Sequence, residues 1–492
     1  MIYNSFLYVI LFPFLFLLSY AVKGSTIKKY LFLAISYLLY AYYNQSLVVI
    51  LFLVTLISYV TARILNSKDD MEGNLKKQQN HRKAILTGGV IAIVVPLLFY
   101  KYTDFILSQI LHLPSLSDSH SWVVPLGISF FTFQALSYLF DVSRGKYEAE
   151  RDFSNYMLYV SFFPSIMAGP INRYDALKPQ IEHMARPNYR QMSDSMKMIV
   201  WGMFLKTVIA DRLLLYINPM LDEYQVHSGS ELLSASVLYS IQLYTDFAGY
   251  SLLAIGSAGM LGIRLQQNFH NPYFATSVTD FWHRWHISLS RWLRDYIYIP
   301  LGGSRCSKQR TYLNILVTFL VSGIWHGANW TFILWGMLHG VFQVIEKSKL
   351  SEERRVKSEE TKFGGRRESQ FQCTTFRGKN RRYLVKGLRI LFTFVLINFL
   401  WIIFRMPNIG DALAVIGKIF TSQDLHFWVF EKFTLLFILM AFAKDLIDEV
   451  SPANNPFHHR RAWVRWATYL IVTTSICLFG VFDAGQFIYA GF

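Results

Sequence analysis

The chain has 492 residues, of which 53% are hydrophobic, 17% aromatic and 16% charged, and its formal net charge is +16. Soluble domains carry about 25% charged residues, so this composition excludes a soluble protein and predicts a multi-pass membrane protein. The basic residues lie between apolar segments, which favours cytoplasmic loops facing anionic lipid over nucleic-acid binding. The three cysteines are scattered and form no CxxC pair, so neither a disulfide framework nor a thiolate metal site is predicted.

Apolar segments recur along the whole chain, and a membrane-spanning helix needs about 20 such residues. We therefore predict an all-α polytopic protein with about 11 transmembrane helices, since several of the segments are too short or too broken to be simple crossings. The candidate segments are 5–21, 30–43, 47–64, 84–103, 122–140, 153–170, 195–217, 232–262, 311–325, 329–346, 386–405, 431–447 and 464–485.

The distribution of lysine and arginine predicts the orientation. The loops near 22–29, 63–83 and 144–151 are basic, whereas 105–121 and 218–231 contain no Lys or Arg. By the positive-inside rule the first group is cytoplasmic and both chain termini are extracytoplasmic. This assignment of loops to the two sides of the membrane requires segment 153–170 to enter and leave on the cytoplasmic side. The segment ends in two prolines and a glycine, which interrupt a helix. A bent crossing is the alternative.

Two further stretches are too polar to span a membrane. Residues 263–310 are basic and aromatic, a composition typical of interfacial helices on the cytoplasmic side. Residues 347–385 are the most polar stretch, which predicts a solvated, partly disordered cytoplasmic loop. A docking site for an acidic partner is the alternative interpretation of that loop.

The stretch 281–295, FWHRWHISLSRWLRD, concentrates polar residues in an apolar chain. On one helix His283 and His286 share a face, and Ser290 follows His286 by four residues. Arg284 and Arg291 occupy a neighbouring stripe that suits a phosphate or a lipid headgroup. The alternative is an amphipathic interfacial helix whose arginines contact lipid.

His326 stands alone between apolar runs, and Gly323 and Gly327 bracket it. A buried neutral imidazole is a competent general base near neutral pH, whereas a histidine hydrogen-bonded between two helices is the structural alternative. The histidines are too few and too dispersed for a di-iron centre, so no metal is predicted. A serine hydrolase is disfavoured further because no G-x-S-x-G motif occurs.

Several of these runs resemble the signatures of the membrane-bound O-acyltransferase (MBOAT) family, in particular its polysaccharide-acetylating bacterial branch. The sequence departs from the family pattern at His283, where arginine is usual, and at Ala248, where serine is usual. The matching runs are NFHNPY at 268–273, DFWHRWHISLSRWLRDYIYIPLGG at 280–303 and GIWHG at 323–327, supported by 125–138, 141–145, 163–174 and 244–250.

The resemblance implies a single membrane domain, 1–492, whose helices surround a central funnel. This domain is expected to consist of N-terminal helices (1–150), a catalytic core (151–346) containing re-entrant helices, the polar loop (347–385) and C-terminal helices (386–492). The implied reaction is the transfer of an acyl group, above all acetyl, from a cytoplasmic thioester such as acetyl-CoA for O-acetylation of an extracytoplasmic polysaccharide. No bound cofactor is implied.

The resemblance also implies roles for residues and partners. His326 would be the general base, and His286 would orient the donor or polarise its carbonyl. The expected location of the protein is the inner membrane of a bacterium, where it contacts membrane lipid and binds no nucleic acid. An extracytoplasmic acetyltransferase with a serine nucleophile is the expected acyl acceptor. The candidate substrate-binding residues are Trp325, Asn329, Tyr244, Asp246, Ser290, Arg284, Arg291 and Arg294.

Two alternatives remain open at this point. D-alanyl transfer to teichoic acid would use the same mechanism with a carrier-protein thioester as donor. A non-enzymatic transporter of glycan or lipid is the other alternative, although transporters are often built from internal repeats and none is apparent here.

Overall fold

The computed structural model describes residues 3–66, 75–113, 124–166, 169–363, 376–422 and 432–482, and within these ranges the chain is helical and contains no β-strand. The all-α prediction is therefore confirmed. The helices are α1 Phe6–Ala21, α2 Ser25–Asn44, α3 Val48–Asn66, α4 Leu75–Phe105, α5 Ile128–Ser143, α6 Phe153–Ser161, α7 Phe163–Ile166, α8 Tyr174–Glu182, α9 Tyr189–Met203, α10 Asp211–Asp222, α11 Gly229–Met260, α12 Val278–Arg284, α13 Ile287–Leu293, α14 Lys308–His326, α15 Trp330–Phe363, α16 Phe376–Arg405, α17 Ile409–Thr421, α18 Lys432–Val450 and α19 Ala462–Phe479.

Four helical segments of the described chain are both long enough and apolar enough to cross a membrane. They are Val48–Asn66, Gln78–Ile110, Tyr383–Arg405 and Ala462–Phe479. These spans agree with the predicted membrane protein, whereas the total of about 11 crossings stays a prediction. Three short π-helical segments interrupt or extend the helices, namely Ile106–Ile110, Phe204–Ala210 and Arg294–Tyr298.

Segment 153–170 begins and ends at the same side of the protein. Its helix α6 has only nine residues, about 14 Å of helix, which is less than half of the hydrocarbon thickness. The flanks meet where the Glu150 carboxylate accepts a hydrogen bond from the Tyr174 hydroxyl and lies 3.0 Å from Lys178 Nζ. This geometry fits the predicted return to the side of entry better than a crossing.

The polar stretch 347–385 contains helix at both of its ends. Helix α15 continues through Phe363 and α16 begins at Phe376. Residues 364–375 lie outside the described residues. The high charge of this stretch is compatible with a helix because Lys, Arg and Glu are good helix formers when solvated. A solvated, partly disordered cytoplasmic loop stays a prediction.

Helix α11 is buried along most of its length and crosses α9 at two glycines. A Cβ atom added at Gly202 would lie 2.7 Å from the carbonyl oxygen of Gly249, and one at Gly249 would lie 2.8 Å from that of Gly202. Both positions therefore require glycine for the backbones to meet. Such small-residue contacts replace the hydrophobic effect as the packing force between helices in lipid.

A cluster of three buried charges follows directly after this crossing. Lys206 Nζ lies 2.7 Å from an Asp211 carboxylate oxygen and 2.6 Å from one of Asp246, and all three side chains are at most 1% exposed. Asn4 also donates a hydrogen bond to Asp211 at 3.0 Å. The cluster ties the N-terminal residues, the π-helical segment and α11 together, because each buried charge needs its partner.

Replacing the lysine of this cluster tests its structural role. We expect Lys206→Met to destabilise the protein by about 3–5 kcal/mol, because two buried carboxylates lose their counter-ion. The measurement is thermal unfolding of the purified protein in detergent, followed by fluorescence-detected size-exclusion chromatography. The control is Arg151→Met, which removes an exposed partner of Glu148 and should leave the melting temperature unchanged. An equal melting temperature for both variants would contradict the assigned role.

Candidate active site

Two short helices, α12 and α13, form a hairpin. Helix α12 packs along α15, and the chain after α13 comes back to α15 near the starting point of the hairpin. At its base the backbone N–H groups of Val278 and Thr279 donate to the Glu346 carboxylate at 2.6 and 2.9 Å. A carboxylate is favourable there because the first N–H groups of a helix lack partners within the helix and the helix dipole attracts negative charge. On the return, Tyr298 accepts a hydrogen bond from Lys347 at 3.2 Å.

His286 lies at the apex of this hairpin. The chain leaves the helix at Trp285, and His286 adopts a left-handed conformation with φ 42° and ψ 54° before α13 begins. Its ring is fully buried and packs edge-to-face on Phe247 at 4.7 Å. Along α12, Glu346 lies beside the base of the hairpin and the Trp335 ring packs on Trp282 at 5.7 Å. These two residues of α15 are eleven positions apart, or about 16 Å.

The hairpin overturns the prediction of one interfacial helix over 281–295. The helix breaks because residues of the preceding loop supply hydrogen bonds to the backbone around the break. Ile287 N donates to the Asn268 carbonyl at 2.9 Å, and His270 N donates to the Arg284 carbonyl at 3.0 Å. The predicted common face of the two histidines does not exist, since His283 is exposed while His286 is buried.

His326 is the last residue of α14 and is 1% exposed. Three aromatic rings surround its imidazole: Trp325 at 4.8 Å, Trp335 at 4.9 Å and Phe404 at 5.4 Å between centroids. Trp325 also lies 6.0 Å from the His286 ring. The structure therefore brings the two predicted catalytic histidines into the neighbourhood of one tryptophan.

The closeness of α14 and α15 positions His326 against Trp335. A Cβ atom added at Gly323 would lie 2.4 Å from the carbonyl oxygen of Phe332, and one at Gly336 would lie 2.4 Å from that of Phe319. The absence of a side chain at Gly323 therefore permits a close approach of the two backbones. It matters because α15 would otherwise be pushed away from the histidine.

Several hydrogen-bonding groups point into this buried region. The indole N–H groups of Trp325 and Trp335 have no hydrogen-bond partner among the described residues. A buried donor without an acceptor costs about 1–3 kcal/mol, which favours a ligand that accepts hydrogen bonds from these indole groups. His339, one helical turn beyond Trp335, accepts a hydrogen bond from the Trp282 indole at 3.1 Å and thereby fastens the hairpin to α15.

The predicted arginines lie apart from the two histidines. Arg284 forms ion pairs with Asp280 and Glu449, both at 2.8 Å. The hydrogen bonds from Arg284 hold the pKa of the Glu449 carboxyl below its usual value. Arg284 thus joins the hairpin to α18. Arg291 is exposed, and the exposed Arg294 pairs with its neighbour Asp295 at 2.8 Å.

The remaining predicted residues have local partners. Ser290 donates to the Trp285 carbonyl at 3.4 Å, and Asn329 donates to the Pro407 carbonyl at 2.7 Å while accepting from Thr331 N. Asp246 belongs to the buried charge cluster with Lys206. Their substrate-binding roles stay predictions.

Tyr244 lines a cavity of about 360 Å³ that lies between α11, α18 and the loop 267–271. Its hydroxyl donates to Asp445 at 2.7 Å. Phe269, another wall residue, lies 5.0 Å from Phe247, the ring that contacts His286. A continuous run of aromatic contacts therefore connects this cavity to the apex of the hairpin.

Three residues near His326 were not predicted from the sequence, namely Trp335, Phe404 and Lys101. Lys101 had a detectable signal, since it is a lone cation after the apolar run 90–100, and charged residues within spans are rarely incidental. Trp335 and Phe404 had none, because aromatic residues are abundant in every helix of this chain.

Comparisons with known proteins agree with this geometry. The sequence model of the MBOAT, membrane-bound O-acyltransferase family matches residues 32–351, which include the hairpin and His326. The chain is 32% identical over 429 residues to the probable alginate O-acetylase AlgI of Azotobacter vinelandii, covering 86% of this chain and 79% of that protein.

Two other relatives carry different acceptor names. The chain is 35% identical over 363 residues to the peptidoglycan O-acetyltransferase of Helicobacter pylori, covering 68% of this chain and 64% of that protein. It is 28% identical over 274 residues to the teichoic acid D-alanyltransferase of Bacillus subtilis, covering 54% and 68%. The chain therefore belongs to the membrane-bound O-acyltransferase family, and it is an O-acyltransferase.

Proposed function

We propose that this protein moves an acetyl group from a cytoplasmic thioester across the inner membrane of a bacterium for O-acetylation of an extracytoplasmic polysaccharide. The observation that carries the proposal is the burial of both His326 and His286 beside Trp325. Polar groups placed at such depth in an apolar bundle are functional by default.

The two histidines belong to elements that start at one side of the protein. Helix α14 begins at Lys308 in the basic region 263–310, and the hairpin begins beside Glu346 near the polar stretch. His286 sits at the apex of the hairpin, and His326 at the far end of α14. This arrangement supports a donor arriving from the basic side and an acceptor hydroxyl arriving from the other.

The proposed chemistry is a direct acyl transfer. The imidazole of His326 takes the proton of the acceptor hydroxyl as the oxygen attacks the thioester carbonyl. The carbon–sulfur bond then breaks, and the leaving thiolate receives that proton from the imidazolium. A positioned base contributes roughly 10²–10⁴-fold, so the remaining acceleration must come from orientation and from stabilisation of the developing oxyanion.

Hydrogen-bond donors for that oxyanion are available beside the base. The imidazole of His286 and the buried indole N–H groups of Trp325 and Trp335 line the region around His326. Donors held in a water-free site act strongly on a charge that develops only in the transition state. We assign His286 and Trp325 to the acyl carbonyl on this basis.

The cavity lined by Tyr244 is the proposed approach of the donor. Its walls combine apolar rings with amide side chains such as Asn268 and Gln267, a mixture that suits the neutral amide-containing arm of acetyl-CoA. The aromatic contacts from Phe269 to His286 lead from this cavity towards the base.

The immediate acceptor is the serine hydroxyl of an extracytoplasmic acetyltransferase, which then modifies the glycan. D-alanyl transfer to teichoic acid is the second candidate, supported by the 28% identity to a teichoic acid D-alanyltransferase. The higher identity and wider coverage of the alginate relative favour acetyl transfer. Mass spectrometry of the esterified acceptor distinguishes the two, since acetyl and D-alanyl esters differ in mass and charge.

Replacing the proposed base is the first test. We expect His326→Gln to lower polysaccharide acetylation by about 10²–10⁴-fold, because glutamine keeps hydrogen-bonding capacity but cannot take a proton. The measurement is ester content per sugar in polymer from cells that produce equal amounts of membrane-inserted protein. His283→Gln is the matched control, since His283 is exposed and should be dispensable. Full acetylation in the His326 variant would exclude its role and would favour the transporter alternative.

The hairpin apex allows a clean removal of the second histidine. His286 has φ 42°, a conformation that glycine adopts without strain, so His286→Gly removes only the ring. We expect acetyl transfer to fall by roughly 10²–10³-fold, the usual effect of losing one oxyanion donor. The rate is measured in membrane vesicles with labelled acetyl-CoA. A well-folded glycine variant with wild-type turnover would rule out the assignment.

The predicted orientation has a direct test. Alkaline phosphatase fused after the C-terminal residue should be active, because both termini are expected outside the cytoplasm and this reporter folds only there. A fusion within the polar stretch, after residue 363, should be inactive. The reverse pattern would invert the proposed direction of acyl transfer.

A further inference from the structure

The C-terminus of α14, which carries His326, is held by two side chains of α4. The last four carbonyl groups of a helix have no N–H partner within the helix. Here the Lys101 ammonium donates to the Trp325 carbonyl at 2.5 Å, and the Tyr102 hydroxyl donates to the Ile324 carbonyl at 2.7 Å. Two successive carbonyls at the end of α14 are thus satisfied by consecutive residues of α4.

Lys101 makes additional contacts that fix its position. Its Nζ lies 3.4 Å from the Ser129 hydroxyl and 5.6 Å from the centroid of the Trp325 ring. A cation at a helix C-terminus is favourable because the carbonyl end of the helix dipole is negative. The same ammonium therefore contacts the backbone and the ring of the residue that precedes the proposed base.

The chain after His326 explains why this cap is needed. Gly327 is extended, with φ −175°, and does not continue the helix. A Cβ atom on Gly327 would lie 2.2 Å from the Phe332 ring, so the turn into α15 is tightly packed. The last turn of α14 therefore takes two of its hydrogen bonds from α4.

We propose that Lys101 and Tyr102 are positioning residues that orient His326 for acyl transfer. The inference rests on the proposed function, because it concerns the same base. Small errors in the position of a catalytic group are costly: a displacement of about 1 Å lowers rates by up to about 10²-fold. A lysine at this depth of a candidate membrane span, Gln78–Ile110, is thereby explained by a function that an apolar residue cannot supply.

The variants that test the cap remove only the donor groups. Lys101→Met keeps the apolar stem without the ammonium, Lys101→Arg keeps a cationic donor, and Tyr102→Phe removes one hydroxyl. Lys418→Met and Tyr469→Phe are matched controls, because Lys418 donates to the Gln225 carbonyl at 2.6 Å and Tyr469 to the Phe457 carbonyl at 3.1 Å, both outside the site.

Activity is measured with labelled acetyl-CoA in vesicles, normalised to folded protein. We expect Lys101→Met to lower kcat by about 10–100-fold, with the KM for acetyl-CoA and the melting temperature close to wild type. Tyr102→Phe should show a smaller loss, Lys101→Arg should restore most of the activity, and both controls should match wild type. A Lys101→Met variant with wild-type kcat, or a loss that Lys101→Arg does not restore, would overturn the inference.

A double-mutant cycle separates positioning from a general loss of stability. If Lys101 acts through His326, then Lys101→Met has no further effect on the residual rate of His326→Gln, whereas independent effects multiply. Multiplying effects would contradict the inference. Wild-type activity of His326→Gln alone would instead contradict the proposed function, so the two failures are distinguishable.

Discussion

The contact between α14 and α15 at Gly323 and Gly336 is the constraint on which the site depends. Helices in lipid gain little from the hydrophobic effect between them, so they associate through close packing where side chains are small. At this crossing each glycine lies against the backbone of the other helix. The approach places the Trp335 ring within 4.9 Å of His326 and leaves the histidine enclosed by aromatic rings.

The hairpin of α12 and α13 adds the second histidine under a different constraint. Backbone groups exposed at a helix break must be satisfied inside an apolar bundle. The loop containing Asn268 and His270 supplies those bonds, and Glu346 caps the base. The hairpin is thus held at its base and at its apex, which gives a left-handed, fully buried His286 a defined position.

Those features of the structure that depend on local composition were predictable from the sequence. The helical class follows from the long apolar runs, the return of segment 153–170 from its prolines and basic flanks, and the burial of His326 from its position between apolar runs. The break at Trp285 was not predictable, because helical periodicity continues through it and the bonds that stabilise it come from Asn268. Likewise, Arg284 pairs with Glu449, 165 residues away, and no local pattern predicts that ion pair, whereas its other partner, Asp280, lies only one helical turn earlier.

The two histidines of the stretch 281–295 show the same limit of prediction from local sequence. His283 and His286 look equivalent in the sequence, yet one is exposed and the other is fully buried. The family resemblance assigned a role to His286 and none to His283; the burial of His286 is compatible with that role, which stays a prediction. Local physics alone assigned both to one face of a helix, which the structure does not contain.

The central claim, that the protein moves an acyl group from one side of the membrane to the other with His326 as the general base, has one direct measurement. Inverted membrane vesicles expose the cytoplasmic face, so labelled acetyl-CoA is added outside and esterified acceptor is recovered from the lumen. The account predicts lumenal acetyl ester with the wild-type protein and a loss of at least about 10²-fold with His326→Gln. Lumenal ester formed equally by both proteins, or found only on the outer face, would contradict it.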